Sequence, residues 1–199
     1  MRIAVSQRVD FLPDRGEARD ALDQRLAALL AQAGLAPVPV PNALDAAKRD
    51  AWLTTVDPTG IVLSGGNDIG QAPSRDATET ALLDFARKRY LPVLGICRGM
   101  QMMVHVAGGR LERVSGHVRT RHTLTGIDAR NVNSFHDWAP ADCPPGYSVT
   151  ARSEDGRIEA IRHATLPWRG WMWHPEREAA ADLGDLADIR DLFGTREKT

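Results

Sequence analysis

A short turn around a cysteine, with a glycine on each side, constrains the fold of this chain most. Residues 92–97 form an apolar run typical of a buried strand, and residues 100–107 are typical of a helix that stops at Gly108. Between them lies the sequence Gly95-Ile96-Cys97-Arg98-Gly99. Glycines at these positions permit a sharp strand-to-helix turn that lifts the central side chain above a sheet. We therefore expect Cys97 at the top of a strand–turn–helix unit.

The rest of the chain alternates short apolar runs with amphipathic segments, a pattern typical of α/β proteins. We predict one domain over residues 1–199, with a mostly parallel central sheet flanked by helices (flavodoxin-like) and a smaller antiparallel part. Asp76 and Glu79 are interpreted as a capping pair for one of the helices. The predicted strands are 3–9, 36–41, 60–64, 92–97, 132–138, 147–153, 158–163 and 170–173, and the predicted helices are 19–33, 44–56, 76–90, 100–107 and 179–193.

Composition and charge exclude several classes of function. The 25 Lys and Arg residues nearly balance the 26 Asp and Glu residues, which is not typical of a general nucleic-acid binder. No apolar run approaches the roughly 20 residues of a membrane span, and the N-terminus has no signal-peptide pattern, so we expect a cytoplasmic protein. No pair of the six histidines has convincing metal-ligand spacing. We therefore expect no metal and no cofactor, and we interpret Cys143, in a Pro-rich loop, as incidental.

A nucleophilic cysteine needs a base, and the base needs a group that orients it. A helix N-terminus at Cys97 would favour the thiolate, although a buried structural cysteine explains the turn equally well. His174 follows a strand-like run, Pro175 stiffens the backbone after it, and Glu176 is placed to hold its imidazole. His174 alone could equally be a surface histidine paired with a carboxylate. In combination, the residues predict a catalytic triad of Cys97, His174 and Glu176.

Three motifs carry a resemblance to a known family. They are Gly95-Ile96-Cys97-Arg98-Gly99-Met100-Gln101, Ser64-Gly65-Gly66-Asn67-Asp68 and Trp173-His174-Pro175-Glu176. Together they resemble the class I glutamine amidotransferase-like superfamily, and more narrowly its γ-glutamyl hydrolase branch, peptidase family C26. The resemblance implies hydrolysis of a γ-glutamyl amide through a cysteine thioester. It also implies an oxyanion hole formed by the backbone N–H groups of Gly66 and Arg98. Cys-Arg-Gly in place of Cys-Leu-Gly points to a free-standing hydrolase.

Further segments resemble the subgroup that hydrolyses γ-glutamyl-CDP-amidate in capsule phosphoramidate biosynthesis. They are Gln7-Arg8, Arg19-Asp20 at the predicted start of the first helix, and the run of residues 132–136. The sequence departs from γ-glutamyl-GABA hydrolases at Met102, where they usually have Glu, and at Asp137, where they have a second histidine. The resemblance makes the following residues candidates for binding the substrate: Gln101, Asn133, Ser134, His136, Arg8 and Arg19.

Several interpretations remain open. Asn133 and Ser134 could satisfy their own turn, and Arg8, Arg15 and Arg19 could bind the phosphates of a nucleotide-linked substrate or lie on a solvated face. A γ-glutamyl-GABA-type hydrolase, a glutaminase subunit that supplies ammonia to a synthase and a non-enzymatic binding module are the alternative functions. The expected partner is a small γ-glutamyl molecule, without nucleic acid or membrane, and a homodimer is left open.

Overall fold

The structure is a computed structural model that describes residues 1–195. An eight-stranded sheet lies at its centre, with helices on both faces. The strands are β1 (Arg2–Val5), β2 (Arg8–Leu12), β3 (Glu17–Ala21), β4 (Ala36–Pro39), β5 (Gly60–Leu63), β6 (Val93–Ile96), β7 (Leu111–Arg113), β8 (Val118–Thr123), β9 (Thr125–Gly126), β10 (Asn131–Phe135), β11 (Trp138–Pro140), β12 (Tyr147–Arg152), β13 (Ile158–His163) and β14 (Trp168–Trp171). The α-helices are α1 (Gln24–Gln32), α2 (Ala46–Val56), α3 (Pro73–Arg89), α4 (Arg98–Val106) and α5 (Leu183–Phe193).

The strand order of the main sheet is β4-β1-β5-β6-β14-β13-β12-β9. The first five of these strands are parallel, and the last three continue the sheet in antiparallel fashion. Three two-stranded antiparallel sheets, β2–β3, β7–β11 and β8–β10, lie outside it. The fold class predicted from the sequence is therefore confirmed.

Side chains alternate between the two faces of the sheet and build a core on each side. On one face, Val62 of β5 packs with α1 and α5, and on the other face Ile61 and Leu63 pack with α2, α3 and α4. The tryptophans around β14 belong to these cores: Trp168 lies on the second face, and Trp171 and Trp173 lie stacked on the first with ring centroids 5.0 Å apart.

The predicted helix over residues 19–33 is wrong in its first part. Residues Glu17–Ala21 form β3, which pairs with β2 as an antiparallel hairpin. A one-turn 3-10 helix, Pro13–Arg15, makes the turn and ends at Gly16, whose φ of 62° suits glycine. Helix α1 begins only after Asp23, whose carboxylate caps the Arg25 N–H. Arg19 and Asp20 therefore lie in a hairpin strand and not at the start of a helix.

The predicted capping pair is also wrong. Helix α3 begins at Pro73, which suits a first turn because it has no N–H to satisfy. The Asp76 carboxylate instead accepts a hydrogen bond from the Gly70 N–H at 2.8 Å, and Glu79 is fully buried.

Other boundaries shift by a few residues. The first strand ends at Val5, the predicted strand 132–138 is divided into β10 and β11, and α5 starts only at Leu183. Asp182 caps α5 by accepting a hydrogen bond from the N–H of Asp185. The strands β7, β8 and β9 were not predicted.

The carboxyl ends of the parallel strands meet at one edge of the sheet. Ser6 follows β1, Ser64 follows β5, Cys97 follows β6, and residues 172–174 follow β14. Ligands of open α/β sheets bind at such an edge, so this edge is where a site is expected. Within residues 1–195, no helix combines the length and the hydrophobicity needed to cross a membrane.

Candidate active site

The turn predicted at Cys97 is present between β6 and α4. Cys97 has a φ of 51°, a conformation that non-glycine residues rarely adopt. A Cβ on Gly95 would lie 2.5 Å from the Met103 sulfur, and one on Gly99 would collide with the Leu63 carbonyl oxygen. The two glycines therefore let the start of α4 pack directly against β5 and β6. The Cys97 side chain lies at the N-terminus of α4 and is 6% exposed.

The His174 imidazole is held on several sides. Its Nδ1 lies 2.7 Å from Glu176 Oε1, and both residues are buried. Asn133 fixes the backbone of His174 with two hydrogen bonds, accepting from its N–H at 3.0 Å and donating to its carbonyl at 2.8 Å. A Cβ on Gly65 would come within 2.7 Å of the ring, and Phe135 meets the ring edge-on with centroids 5.9 Å apart. These contacts leave the imidazole little freedom to rotate.

The charges around His174 favour its protonated form. Burial by itself lowers the pKa of the imidazole, but the negative charge and hydrogen bond of Cys97, together with Glu176, raise that pKa to about 9. At neutral pH the histidine is therefore an imidazolium held between Cys97 and Glu176. A neighbouring imidazolium favours the thiolate, the nucleophilic form of a cysteine, so the arrangement can attack a carbonyl and supply a proton to a leaving group.

The glycine loop after β5 is fixed through its carbonyl groups. The Arg75 guanidinium donates to the carbonyls of Ser64 at 2.6 Å and Gly65 at 3.0 Å. The Gly65 carbonyl and the Gly66 N–H belong to the same trans peptide bond and point in opposite directions, so the Gly66 N–H faces away from Arg75. The Asn67 side chain ties the same loop to the backbone of Val9 in the hairpin, at 2.8 Å and 2.9 Å.

A buried charge network that the sequence analysis missed supports this loop. Glu79 accepts hydrogen bonds from Ser6 at 2.7 Å and from Arg75 at 2.9 Å, and it forms an ion pair with Arg98. Arg98 also pairs with Asp76. Burial lowers the pKa of Arg75 to about 10 and that of Arg98 to about 9, so both remain charged at neutral pH. The i, i+4 spacing of Arg75 and Glu79 was the available sequence signal.

The predicted glutamyl-binding residues lie in different surroundings. Gln101 donates to the Trp138 carbonyl at 2.9 Å and lines a surface cavity of about 390 Å³ with Arg113 and Asp68. Ser134 donates to the His117 carbonyl at 2.7 Å, and His136 is 3% exposed. Asn133 and Ser134 thus form hydrogen bonds with other groups inside the protein, and their contact with a substrate stays a prediction.

The three arginines considered for phosphate binding all lie in the β2–β3 hairpin. Arg8 starts β2, bonds Asp10 at 2.7 Å, and lines a crevice of about 50 Å³ together with His174. Arg19 lies on the partner strand and pairs with Glu17, and Arg15 lies in the hairpin turn. Of the three, Arg8 lines the crevice beside the imidazole.

Comparison with known proteins identifies the family of this chain and several relatives. The family model for the class I glutamine amidotransferases matches residues 17–182. A γ-glutamyl-CDP-amidate hydrolase of Campylobacter jejuni is 30% identical over 67% of this chain and 68% of its own length. A glutamine-hydrolysing GMP synthase subunit of Thermococcus kodakarensis is 29% identical over 66% of this chain and 74% of its own length. An aminodeoxychorismate synthase of Streptomyces griseus is 36% identical over 78% of this chain, which matches only 22% of that longer protein.

The fold agrees with a solved structure as well. A putative GMP synthase subunit from Thermoplasma acidophilum superposes with a TM-score of 0.75 at 20% identity, covering 98% of this chain and 92% of that one. The chain belongs to the class I glutamine amidotransferase family.

Proposed function

We propose that this protein hydrolyses a γ-glutamyl amide, with Cys97 as nucleophile, His174 as acid and base, and Glu176 as the group that orients His174. The observation that carries the proposal is the buried series Cys97–His174–Glu176, in which Cys97 precedes α4 and the other two residues follow β14. The raised pKa of His174 places an imidazolium beside Cys97, which favours the thiolate. An amide hydrolysis of this kind is the common chemistry of cysteine–histidine sites.

The first half of the reaction forms a thioester. The Cys97 sulfur attacks the γ-carbonyl carbon, and the electrons of the carbonyl π bond move to its oxygen. The tetrahedral intermediate then collapses and expels the amine, which takes a proton from the His174 imidazolium. The backbone N–H groups of Gly66 and Arg98 would bind the oxyanion, and losing one such donor typically costs about 3 kcal/mol of transition-state stabilisation.

The second half consumes water. Neutral His174 takes a proton from a water molecule as its oxygen attacks the thioester carbon, the carbon–sulfur bond breaks, and glutamate leaves with Cys97 again a thiolate. Glu176 stabilises the imidazolium, which donates its proton in the first half and forms again in the second.

The substrate proposed is γ-glutamyl-CDP-amidate. The similarity to the Campylobacter enzyme supports it, as does Arg8 beside the crevice, since a guanidinium suits phosphate oxygens. Capsule phosphoramidate biosynthesis is the pathway that this substrate implies.

The test is the release of glutamate from γ-glutamyl-CDP-amidate, γ-glutamyl-GABA, a folate polyglutamate and glutamine. We expect the nucleotide substrate to be preferred, Cys97→Ala to abolish the release, and Cys143→Ala to leave it unchanged. In the nucleotide assay Arg8→Ala should raise KM more than it does with γ-glutamyl-GABA. Release that survives in Cys97→Ala would contradict the proposed nucleophile.

A glutaminase subunit that supplies ammonia to a synthase is the second candidate. The similarity to glutamine-hydrolysing GMP synthase subunits over about two thirds of the chain favours it. In this case glutamine would be hydrolysed slowly by the isolated chain and much faster once its synthase is added. Rapid hydrolysis of γ-glutamyl-CDP-amidate without any added partner would exclude this candidate.

A further inference from the structure

A second polar cluster lies apart from the series Cys97–His174–Glu176, between the β8–β10 sheet and the main sheet. His117 precedes β8, His136 follows β10, and Glu159 belongs to β13. All three are buried, with exposed fractions of 1%, 3% and 0%. Their ligand-type atoms lie within 4.8 Å of one another.

Several polar atoms of this cluster lack hydrogen bonds. Within residues 1–195, neither carboxylate oxygen of Glu159 has a hydrogen-bond partner, and the same is true of His117 Nδ1 and both ring nitrogens of His136. A buried ionisable group without a partner is costly, and native proteins rarely keep several together. The free-energy cost of burying these unpaired groups therefore calls for an explanation, and a bound ligand would supply the missing partners.

Two distances within the cluster suit a shared cation. Glu159 Oε1 lies 3.3 Å from His117 Nδ1 and 3.4 Å from His136 Nε2, yet neither contact has the alignment of a hydrogen bond. In a tetrahedral zinc site, with bonds of about 2.0 to 2.1 Å, neighbouring ligand atoms lie about 3.3 Å apart. Both nitrogen–oxygen separations match that value.

The surroundings of His117 also resemble those of a metal ligand. His117 Nε2 lies 3.1 Å from the Asp155 carboxylate, which leaves Nδ1 free to present a lone pair. The His117 carbonyl accepts from the His136 N–H at 3.1 Å and from the Ser134 hydroxyl at 2.7 Å, so the two histidines are fixed beside each other. The site is preorganised by the β8–β10 ladder.

We propose that His117, His136 and Glu159 bind one divalent transition-metal ion, for which zinc fits best. Two imidazoles and one carboxylate are a common ligand set for this metal. The ion would tie the β8–β10 sheet to β13 of the main sheet. Asn133, which fixes the backbone of His174, lies on the same strand β10, so the metal would also stiffen the support of that histidine.

Metal content after zinc loading tests the proposal. The full chain with Cys97→Ala and Cys143→Ser, which removes both thiols, is incubated with excess zinc sulfate, desalted and analysed by elemental mass spectrometry. We expect about one zinc per chain and a higher melting temperature than after chelation. Glu159→Gln should lower zinc affinity at least tenfold, whereas Glu154→Gln, at an exposed carboxylate, should not change it.

Cobalt gives a readout that needs no variant in the cluster, which matters if Glu159→Gln fails to fold. Cobalt loaded in place of zinc should show the intense visible absorption of a tetrahedral site. The proposal is overturned by a chain that retains no zinc, by equal zinc affinity in Glu159→Gln and its parent, or by the weak absorption of octahedral cobalt. In each case the cluster would be a polar part of the core.

Discussion

At the scale of single residues, the environment of His174 decides its chemistry. A histidine buried by itself would be neutral at pH 7, because desolvation disfavours the charged form. Here the interactions of the imidazole with Cys97 and Glu176 outweigh burial and raise the pKa of His174 to about 9. The charged form is thus retained up to about pH 9 and lost above it.

This pKa predicts a pH profile for turnover. The step that protonates the leaving amine needs the imidazolium, so kcat should fall as pH rises through about 9. Glu176→Gln keeps a hydrogen-bonding group beside Nδ1 but removes its charge, so the pKa of His174 should fall and the alkaline limb should move to lower pH. Steady-state kinetics from pH 6 to 10 measure this, with Glu154→Gln as control. An alkaline limb at the same pH in both variants would contradict the role of Glu176.

Alanine substitutions at two glycines of the site should affect different properties, activity in one case and stability in the other. Gly65→Ala would place a methyl group 2.7 Å from His174 Cε1, so the ring should shift and kcat should fall by an order of magnitude or more, with a small change in melting temperature. Gly99→Ala would press against the Leu63 carbonyl, part of the central sheet, so it should lower the melting temperature strongly. Calorimetry and kinetics on both variants separate the two effects. Equal losses of stability would contradict this assignment.

At the scale of elements, the helix α3 controls the loop after β5. Its Arg75 binds two loop carbonyls, and its Glu79 neutralises both Arg75 and Arg98. Arg98, the arginine of Cys-Arg-Gly, is therefore held by α3, because its buried side chain forms ion pairs with Asp76 and Glu79 of that helix. The strands and helices of the site are joined by charge as well as by apolar packing.

Removing the central charge of this network should be costly. Glu79→Gln removes the negative charge that pairs with the buried Arg75 and Arg98. Breaking a buried ion pair in this way typically lowers the free energy of unfolding by about 3 to 5 kcal/mol. Urea denaturation measures the free energy of unfolding. Asp57→Asn is the control, because the Asp57–Arg89 pair is exposed and such pairs contribute about 1 kcal/mol or less. Equal effects of the two substitutions would show that the buried network contributes no more than a surface pair.

At the scale of the whole molecule, Asp185 joins three distant segments. It lies in α5, accepts a hydrogen bond from Arg130 before β10 at 2.7 Å, and accepts another from the Trp173 indole after β14 at 3.2 Å. Burial raises the pKa of its carboxyl to about 6, although Arg130 acts in the opposite direction. The folded protein therefore binds this proton more tightly than the unfolded chain does.

The sign of the effect on stability follows from linkage. A carboxyl whose pKa is raised on folding contributes stability that is fully present below its unfolded pKa, about 4, and is lost as pH rises through about 6. Relative to Asp185→Asn, the wild-type free energy of unfolding should therefore decrease between pH 4 and pH 6.5. Urea denaturation across this range measures it, with Asp14→Asn, an exposed carboxylate, as control. A constant difference between wild type and Asp185→Asn would contradict the raised pKa.

The sequence by itself determined the parallel sheet and the turn at Cys97. Continuous apolar runs such as residues 60–63 and 93–96 predict buried parallel strands because both faces of such a strand are covered. The glycines around Cys97 predict a sharp turn because close backbone contact excludes a Cβ. These signals are local, so they can be recognised along the chain.

Only the tertiary structure decided what depends on distant partners. Residues 17–21 became a strand because the hairpin pairs them with β2, although their spacing also suited a helix. Glu79 of α3 met Arg98 of α4. His117, His136 and Glu159 met from the residue before β8, the residue after β10 and the strand β13, with no motif spacing between them. Burial, charge pairing and pKa shifts depend on these three-dimensional neighbours, which no local pattern of residues encodes.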